Sequence, residues 1–243
     1  MNRREILPGV WHLEEDYRCY CTLVLGTERA LLWDTGQGKQ DLAAYVASVT
    51  RLPCLVLCSH GHSDHIGGNF RFPQVYAHPA DWPLLEAQAR LTGRPWSARP
   101  LEEGQIFPLG GRTGRGVSLA GHTRGSVGLL LEGEDLLLAG DALNPTLLML
   151  GPEAASFAQL RRTLEEVAGL PFAQYLSSHA PGPLPKRQAA LHLAHLDCLH
   201  TQPPSHPGPY GPRVMRSTYK EGGSRSVILF DRGLLQDPLS HTT

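Results

Sequence analysis

Residues 58–69 read C-S-H-G-H-S-D-H-I-G-G-N, directly after the apolar run Leu55-Val56-Leu57. His60, His62, Asp64 and His65 thus crowd into six positions. No other feature restricts the fold as strongly, because ring nitrogens and a carboxylate gathered where a strand ends cost stability unless they bind something. Residues i and i+2 of a strand share a face, so His60 and His62 can hold one ion together. Gly61 leaves room for the turn between them. Asp64 and His65 follow where the chain would enter a helix, within reach of a second ion. Gly67 and Gly68 suit close backbone packing or unusual dihedral angles.

A polar surface turn would account for this stretch alone, but the pattern recurs. His122 follows Val117-Ser-Leu-Ala-Gly, Asp141 follows Leu136-Leu-Leu-Ala-Gly, and His179 follows Gln174-Tyr-Leu-Ser-Ser. Repeated apolar runs that each end on one donor imply loops collected along one sheet edge, where α/β sites form.

The remaining periodicity fits that layering. Strand patterns cover Val10-Trp-His-Leu, Tyr20 to Leu25, Ala30-Leu-Leu-Trp, Leu55 to Ser59, Val75-Tyr-Ala-His, Val117 to Ala120, Val127 to Glu132, Asp135 to Gly140, Gln174 to Ser178 and Ser226 to Asp231. Helical spacing covers 41–49, 79–90, 156–168 and 185–199. Glu132 to Asp135 reads as a hairpin turn. Residues 92–99 read as a surface loop, with a lid formed by Arg94, Trp96 and Arg99 as the alternative. Residues 144–152 read as an apolar loop that either walls a pocket or packs on the core. Residues 201–212 are rich in Pro and Gly and read as irregular. With no repeat and no linker, residues 1–243 are expected to form a single domain, to which 185–243 add a helix, a Pro-rich loop and a last strand.

Charge narrows the partners. Lys and Arg number 22 against 23 Asp and Glu, a net charge of −1, which gives no electrostatic case for nucleic acid or an anionic membrane. Arg161-Arg162 reads as a solvated helix face. The five cysteines (Cys19, Cys21, Cys54, Cys58, Cys198) form no CxxC pair, which argues against a disulfide framework. The first residues lack a signal peptide's apolar core, and no apolar run nears the roughly 18 residues of a membrane span. A cytoplasmic location and a small-molecule partner are expected; the oligomeric state is left open.

Five motifs in order resemble the metallo-β-lactamase superfamily of metallohydrolases: Asp34-Thr-Gly, His60-x-His-x-Asp-His65, Gly121-His-Thr, Gly140-Asp and Ser178-His. The resemblance runs from about residue 8 to 180 and implies a four-layer αββα sandwich, of α/β class (α+β by some schemes), with the site at one edge. It implies that His60, His62 and His122 hold one ion, that Asp64, His65 and His179 hold the other, and that Asp141 bridges them. It makes Asp34 an orienting partner of the ligands or, equally, a turn residue.

Imidazole and carboxylate donors suit Zn²⁺, with Fe or Mn possible. Two zinc ions about 3.5–4 Å apart can activate a hydroxide near neutral pH. The expected enzyme is a binuclear zinc hydrolase whose metal-activated hydroxide attacks an ester, thioester or lactone-like bond of a small, partly apolar molecule. Asp141 acts as the bridge, and Asp64 orients the nucleophile and shuttles its proton. Alternatives of the same fold are a mononuclear iron dioxygenase of persulfides, a phosphodiesterase and a β-lactamase-like hydrolase. His62 argues against flavodiiron-type relatives, which place Glu there. Asp141 lowers the β-lactamase option, and the ligand set matches the glyoxalase II and lactonase types best. Arg124 is expected to meet an anionic group or face solvent, and Tyr210 and Tyr219 are candidate hydrogen-bond donors. His192 and His195, one helical turn apart, read as packing or surface residues. His12, His78, His200, His206 and His241 are isolated, and Cys58 reads as a buried thiol.

Overall fold

The computed structural model describes residues 1–201 and 208–236. His206 and His241, and residues 202–207 of the Pro-rich stretch, lie outside them. The first sheet runs in chain order: β1 (Asn2–Leu7), β2 (Val10–Asp16), β3 (Cys19–Leu25), β4 (Ala30–Trp33), β5 (Cys54–Leu57), β6 (Val75–Ala77) and β7 (Ala98–Pro100). It is antiparallel up to β4 and parallel beyond. The crossover from β4 to β5 contains α1 (Leu42–Val49), and after β5 come α2 (Ser63–Ile66) and α3 (Trp82–Thr92). The second sheet contains β8 (Ile106–Pro108), β9 (Thr113–Ser118), β10 (Val127–Leu131) and β11 (Leu136–Gly140). Next in the chain is β12 (Thr146–Met149), in a third sheet, and α4 (Phe157–Gly169). The second sheet is completed by β13 (Gln174–Ser177), parallel to β11, and the short β14 (Leu184–Pro185). The chain continues with α5 (Arg187–Thr201), β15 (Val214–Glu221) and β16 (Ser224–Asp231).

The period of two explains the layers. Leu31 and Trp33 of β4 point inward to join Leu129, Leu131, Leu136 and Leu138 of the facing sheet. Their neighbours Ala30 and Leu32 point outward onto Leu42 and Val46 of α1. On the other side, Leu130, Leu137 and Ala139 meet Leu160 and Leu164 of α4 and Leu196 of α5. Strands buried on both faces read as unbroken apolar runs, which is why they are visible in the sequence. The αββα sandwich is therefore present. Side-chain caps fix two helix starts, with Asp41 accepting from the Ala44 amide and Ser156 from the Gln159 amide.

Two expectations are corrected, and two strands carry no pattern that the sequence reading could use. Residues 146–149 are not loop: β12 pairs in parallel with β16, which pairs antiparallel with β15. Leu147 and Met149 enter the core, while Leu148 and Leu150 face a cavity, so both readings of this segment apply to alternate residues. Neither β1, which is charged, nor the polar β15 carries an apolar alternation. The lid reading of 92–99 also fails: Trp96 packs on Trp82, with ring centroids 6.2 Å apart, and Arg94 stacks on Phe70 at 3.9 Å. No helix among the described residues is long and apolar enough to cross a membrane.

Candidate metal centre

The donors lie beyond the ends of neighbouring strands. Asp34 follows β4, His60 follows β5, Asp141 follows β11, His179 follows β13, and His122 sits in the loop from β9 to β10. Backbone hydrogen bonds join these loops across the two sheets: the Val127 amide donates to the Ser59 carbonyl, and the Tyr20 amide to that of Ser178.

All seven candidate donors come together. His60 Nε2 lies 3.0 Å from His62 Nδ1, which lies 2.8 Å from His122 Nε2. Asp64 Oδ2 is 3.5 Å from His65 Nε2 and 3.4 Å from His179 Nε2. Asp141 stands between the groups, with Oδ1 3.6 Å from His65 Nε2 and Oδ2 3.1 Å from His179 Nε2 and 3.8 Å from His122 Nε2.

The far side of every ring is tied down. Asp34 accepts from the Ser59 amide at 2.7 Å and from the hydroxyls of Ser59 and Ser178 at 2.8 and 3.1 Å. Its Oδ2 also meets His65 Nδ1 at 2.9 Å. Because the Ser59 hydroxyl donates to Asp34, its oxygen is left to accept from His60 Nδ1 at 3.0 Å. His122 Nδ1 donates to the Leu148 carbonyl and His179 Nδ1 to the Arg18 carbonyl, both at 2.6 Å. His62 is reversed: Nδ1 faces the cluster and Nε2 meets Glu153 at 3.2 Å. Fixing one ring nitrogen in this way directs the other nitrogen's lone pair inward, as metal-binding histidines require.

A metal fits this arrangement. His65 Nε2 and Asp141 Oδ1 are buried and have no hydrogen-bond partner in the protein. Such orphans are costly, and a cation between them satisfies both. Three overlapping donor triads meet here: His60, His62 and His122; His60, His65 and Asp141; and Asp64, His65 and His179. Burial, followed by the neighbouring imidazoles, pushes His60 well below its ordinary pKa, and burial also lowers His122. Burial opposes ionisation of Asp141, yet His65 and His179 hold it down to about 2. Burial likewise opposes protonation of His179, but Asp141 and Asp64 raise it to about 10. The carboxylates thus call for positive charge at the centre of the cluster.

Asp34 has φ of 64°, a left-handed conformation that Asp tolerates better than most residues. Its four partners favour the orienting reading over that of a plain turn residue. Gly67 and Gly68 serve close approach: a Cβ on Gly67 would sit 2.4 Å from the Gln37 carbonyl oxygen, and one on Gly68 2.5 Å from that of Thr35.

Two residues escaped the sequence reading. Asp81 is buried and accepts from the Gly61 amide, the Thr123 hydroxyl and the Gly125 amide at 2.8, 2.7 and 3.0 Å. It therefore pins the His60–His62 loop to the His122 loop. Glu153, half-buried, is the other. Other candidates fall outside the cluster: Arg124 is exposed and donates to the Pro152 carbonyl at 2.6 Å. Tyr219 stacks on His195. His192 and His195 are buried and share the Ser226 hydroxyl, so they are packing residues. Cys58 is a buried free thiol.

The donors open onto a cavity of about 840 Å³. Its walls include Arg18, Pro145, Leu148, Leu150, Tyr210 and Arg225.

The family profile described as the metallo-beta-lactamase superfamily matches residues 15–179. Acyl-coenzyme A thioesterase MBLAC2 of Homo sapiens is 27% identical over 178 residues, which cover 56% of this chain and 63% of that protein. The chain spans less than two thirds of the length of the first curated relatives it matches. A metallo-beta-lactamase family protein from Thermus thermophilus superposes with a TM-score of 0.61 at 22% identity, over 80% of this chain and 81% of that one. TTHA1623, solved in a di-iron-bound form, gives 0.54 at 26% identity, over 71% and 92% of the two chains. With the sandwich, the ordered motifs and the profile in agreement, the chain belongs to the metallo-beta-lactamase superfamily.

Proposed function

We propose that this chain is a two-metal hydrolase that opens thioesters of small, partly apolar acyl groups. His60, His62 and His122 would hold one ion and Asp64, His65 and His179 the second, with Asp141 available to both. The observation that carries this reading is the pair of orphaned buried atoms, His65 Nε2 and Asp141 Oδ1, within a shell where every ring is already oriented from outside. Thioesters are favoured over other acyl bonds by the likeness to a human acyl-coenzyme A thioesterase. The nitrogen and oxygen donors suit zinc or iron, and a relative of the same fold is known with two irons.

Ions bound by these residues would supply an acidified water and a polarised carbonyl oxygen. The residues supply the rest. Leu148, Leu150 and Pro145 offer an apolar wall for the acyl chain. Asp64, whose side chain is 35% exposed beside the cavity, takes the proton of the attacking water and returns it to the departing thiolate. Asp34 and Asp81 keep the histidine-bearing loops in place. His62→Ala and Asp141→Ala are each expected to abolish hydrolysis and lower metal content. Full turnover by either variant contradicts the reading, as does a panel in which a lactam or phosphodiester is cleaved in preference to thioesters, esters and lactones.

A further inference from the structure

The cavity has a second chemical feature besides its donors. Arg18 and Arg225 both line it, from elements far apart in the chain: the turn between β2 and β3, and the start of β16. Both are exposed, and neither guanidinium has an ion pair or side-chain hydrogen bond among the described residues. Arginines elsewhere in the fold are engaged: Arg112 with Glu134, Arg115 with Glu132, Arg71 with Asp41 and Arg124 with the Pro152 carbonyl. The carboxylates of the lining, Asp64, Asp141 and Glu153, are all engaged with the histidines, which leaves these two guanidinium groups without a carboxylate partner on the cavity wall.

Arg18 is also held in place. It has φ of 53°, a left-handed conformation uncommon outside glycine and held only where the surroundings enforce it. Its amide donates to Glu14 and its carbonyl accepts from His179 Nδ1. The backbone that orients one metal donor therefore also carries a guanidinium to the same cavity. Tyr210 adds a phenol to the lining, and Leu148 and Leu150 supply apolar wall.

From this arrangement we infer that Arg18 and Arg225 are specificity-determining residues that bind a phosphate on the substrate's leaving group, while the apolar wall takes the acyl chain. The inference rests on the thioester reading and narrows it to thioesters of phosphorylated thiol carriers. A planar guanidinium presents paired donors that match phosphate oxygens, and two of them leave little reason for a neutral leaving group.

The test separates recognition from turnover. Binding of S-octyl phosphopantetheine and of S-octyl pantetheine, thioethers that cannot be hydrolysed, is measured by calorimetry on the metal-loaded protein. Hydrolysis of the matching octanoyl thioesters is measured in parallel. Two guanidinium groups on one phosphate give charge-assisted hydrogen bonds, so the phosphorylated probe is expected to bind about tenfold more tightly. In Arg225→Gln and Arg18→Gln that ratio should shrink towards one, and Arg225→Lys should restore part of it. Metal content of each variant shows whether the centre is intact. Equal binding of the two probes overturns the inference, as does an unchanged ratio in both Gln variants. If the phosphate preference is present and depends on the arginines but neither thioester is cleaved, phosphate recognition stands and the hydrolytic reading falls.

Discussion

Single residues decide whether the donors point inward. Asp34 is the sharpest case, because one carboxylate takes four hydrogen bonds and His65 depends on one of them. Asn tolerates the same left-handed backbone, so Asp34→Asn isolates the carboxylate from the turn. It offers one acceptor oxygen where two are used. Loss of an orienting partner typically costs 10–100-fold in metal affinity, and a metal-competition titration of Asp34→Asn should fall in about that range. Glu153 is half-buried and orients His62 alone, so Glu153→Ala should weaken metal binding while changing stability by no more than about 0.5 kcal/mol in a denaturant melt. An unaltered metal affinity in both variants would remove them from the site. The candidate ligands were legible in the sequence because the donor clusters follow apolar runs that mark strand ends. Asp81 and Glu153 follow no such run: one opens a helix after His78-Pro-Ala, and the other lies in the turn Gly151-Pro152. Their roles come from loops that meet only in three dimensions.

Elements hold those residues by close approach and by layering. Gly67 lets the chain after α2 lie against Gln37, and an added Cβ would overlap the carbonyl carbon as well as its oxygen. Overpacking of this kind costs about 1–3 kcal/mol, so Gly67→Ala should lower the denaturant midpoint accordingly, and a neutral result would show that the loop yields easily. At the other side of the molecule, α5 seats His192 and His195 on β16, and burial lowers both to about 4. Their folded pKa lies below the unfolded value near 6.5, so the folded state prefers them neutral. The stability this provides is complete above about pH 6.5 and lost as pH falls towards 4. Exchanging His192 for Leu should flatten that acid limb of the stability curve, whereas the same steep decline would show that the helix does not carry it. Two strands of the third sheet, β12 and β15, escaped the sequence reading for a physical reason, whereas β16 was legible at Ser226 to Asp231. Strand β12 is short and lies between the breakers Asn144-Pro145 and Gly151-Pro152, while β15 is mostly polar and exposed. The central strands, buried on both faces, were legible throughout.

Across the whole molecule, two sheets bring five separate loops to one edge, and the cost of burying so many polar groups there is met when cations bind. A ligand that binds only the folded chain stabilises it, so chelation should lower the melting temperature of the intact protein and leave Asp141→Ala nearly unaffected. The central claim is that these donors form one centre for two ions. Elemental analysis of the purified protein tests it most directly: two transition-metal ions per chain are predicted, falling in Asp141→Ala. A chain that binds none, or that carries one ion in both proteins, contradicts the account.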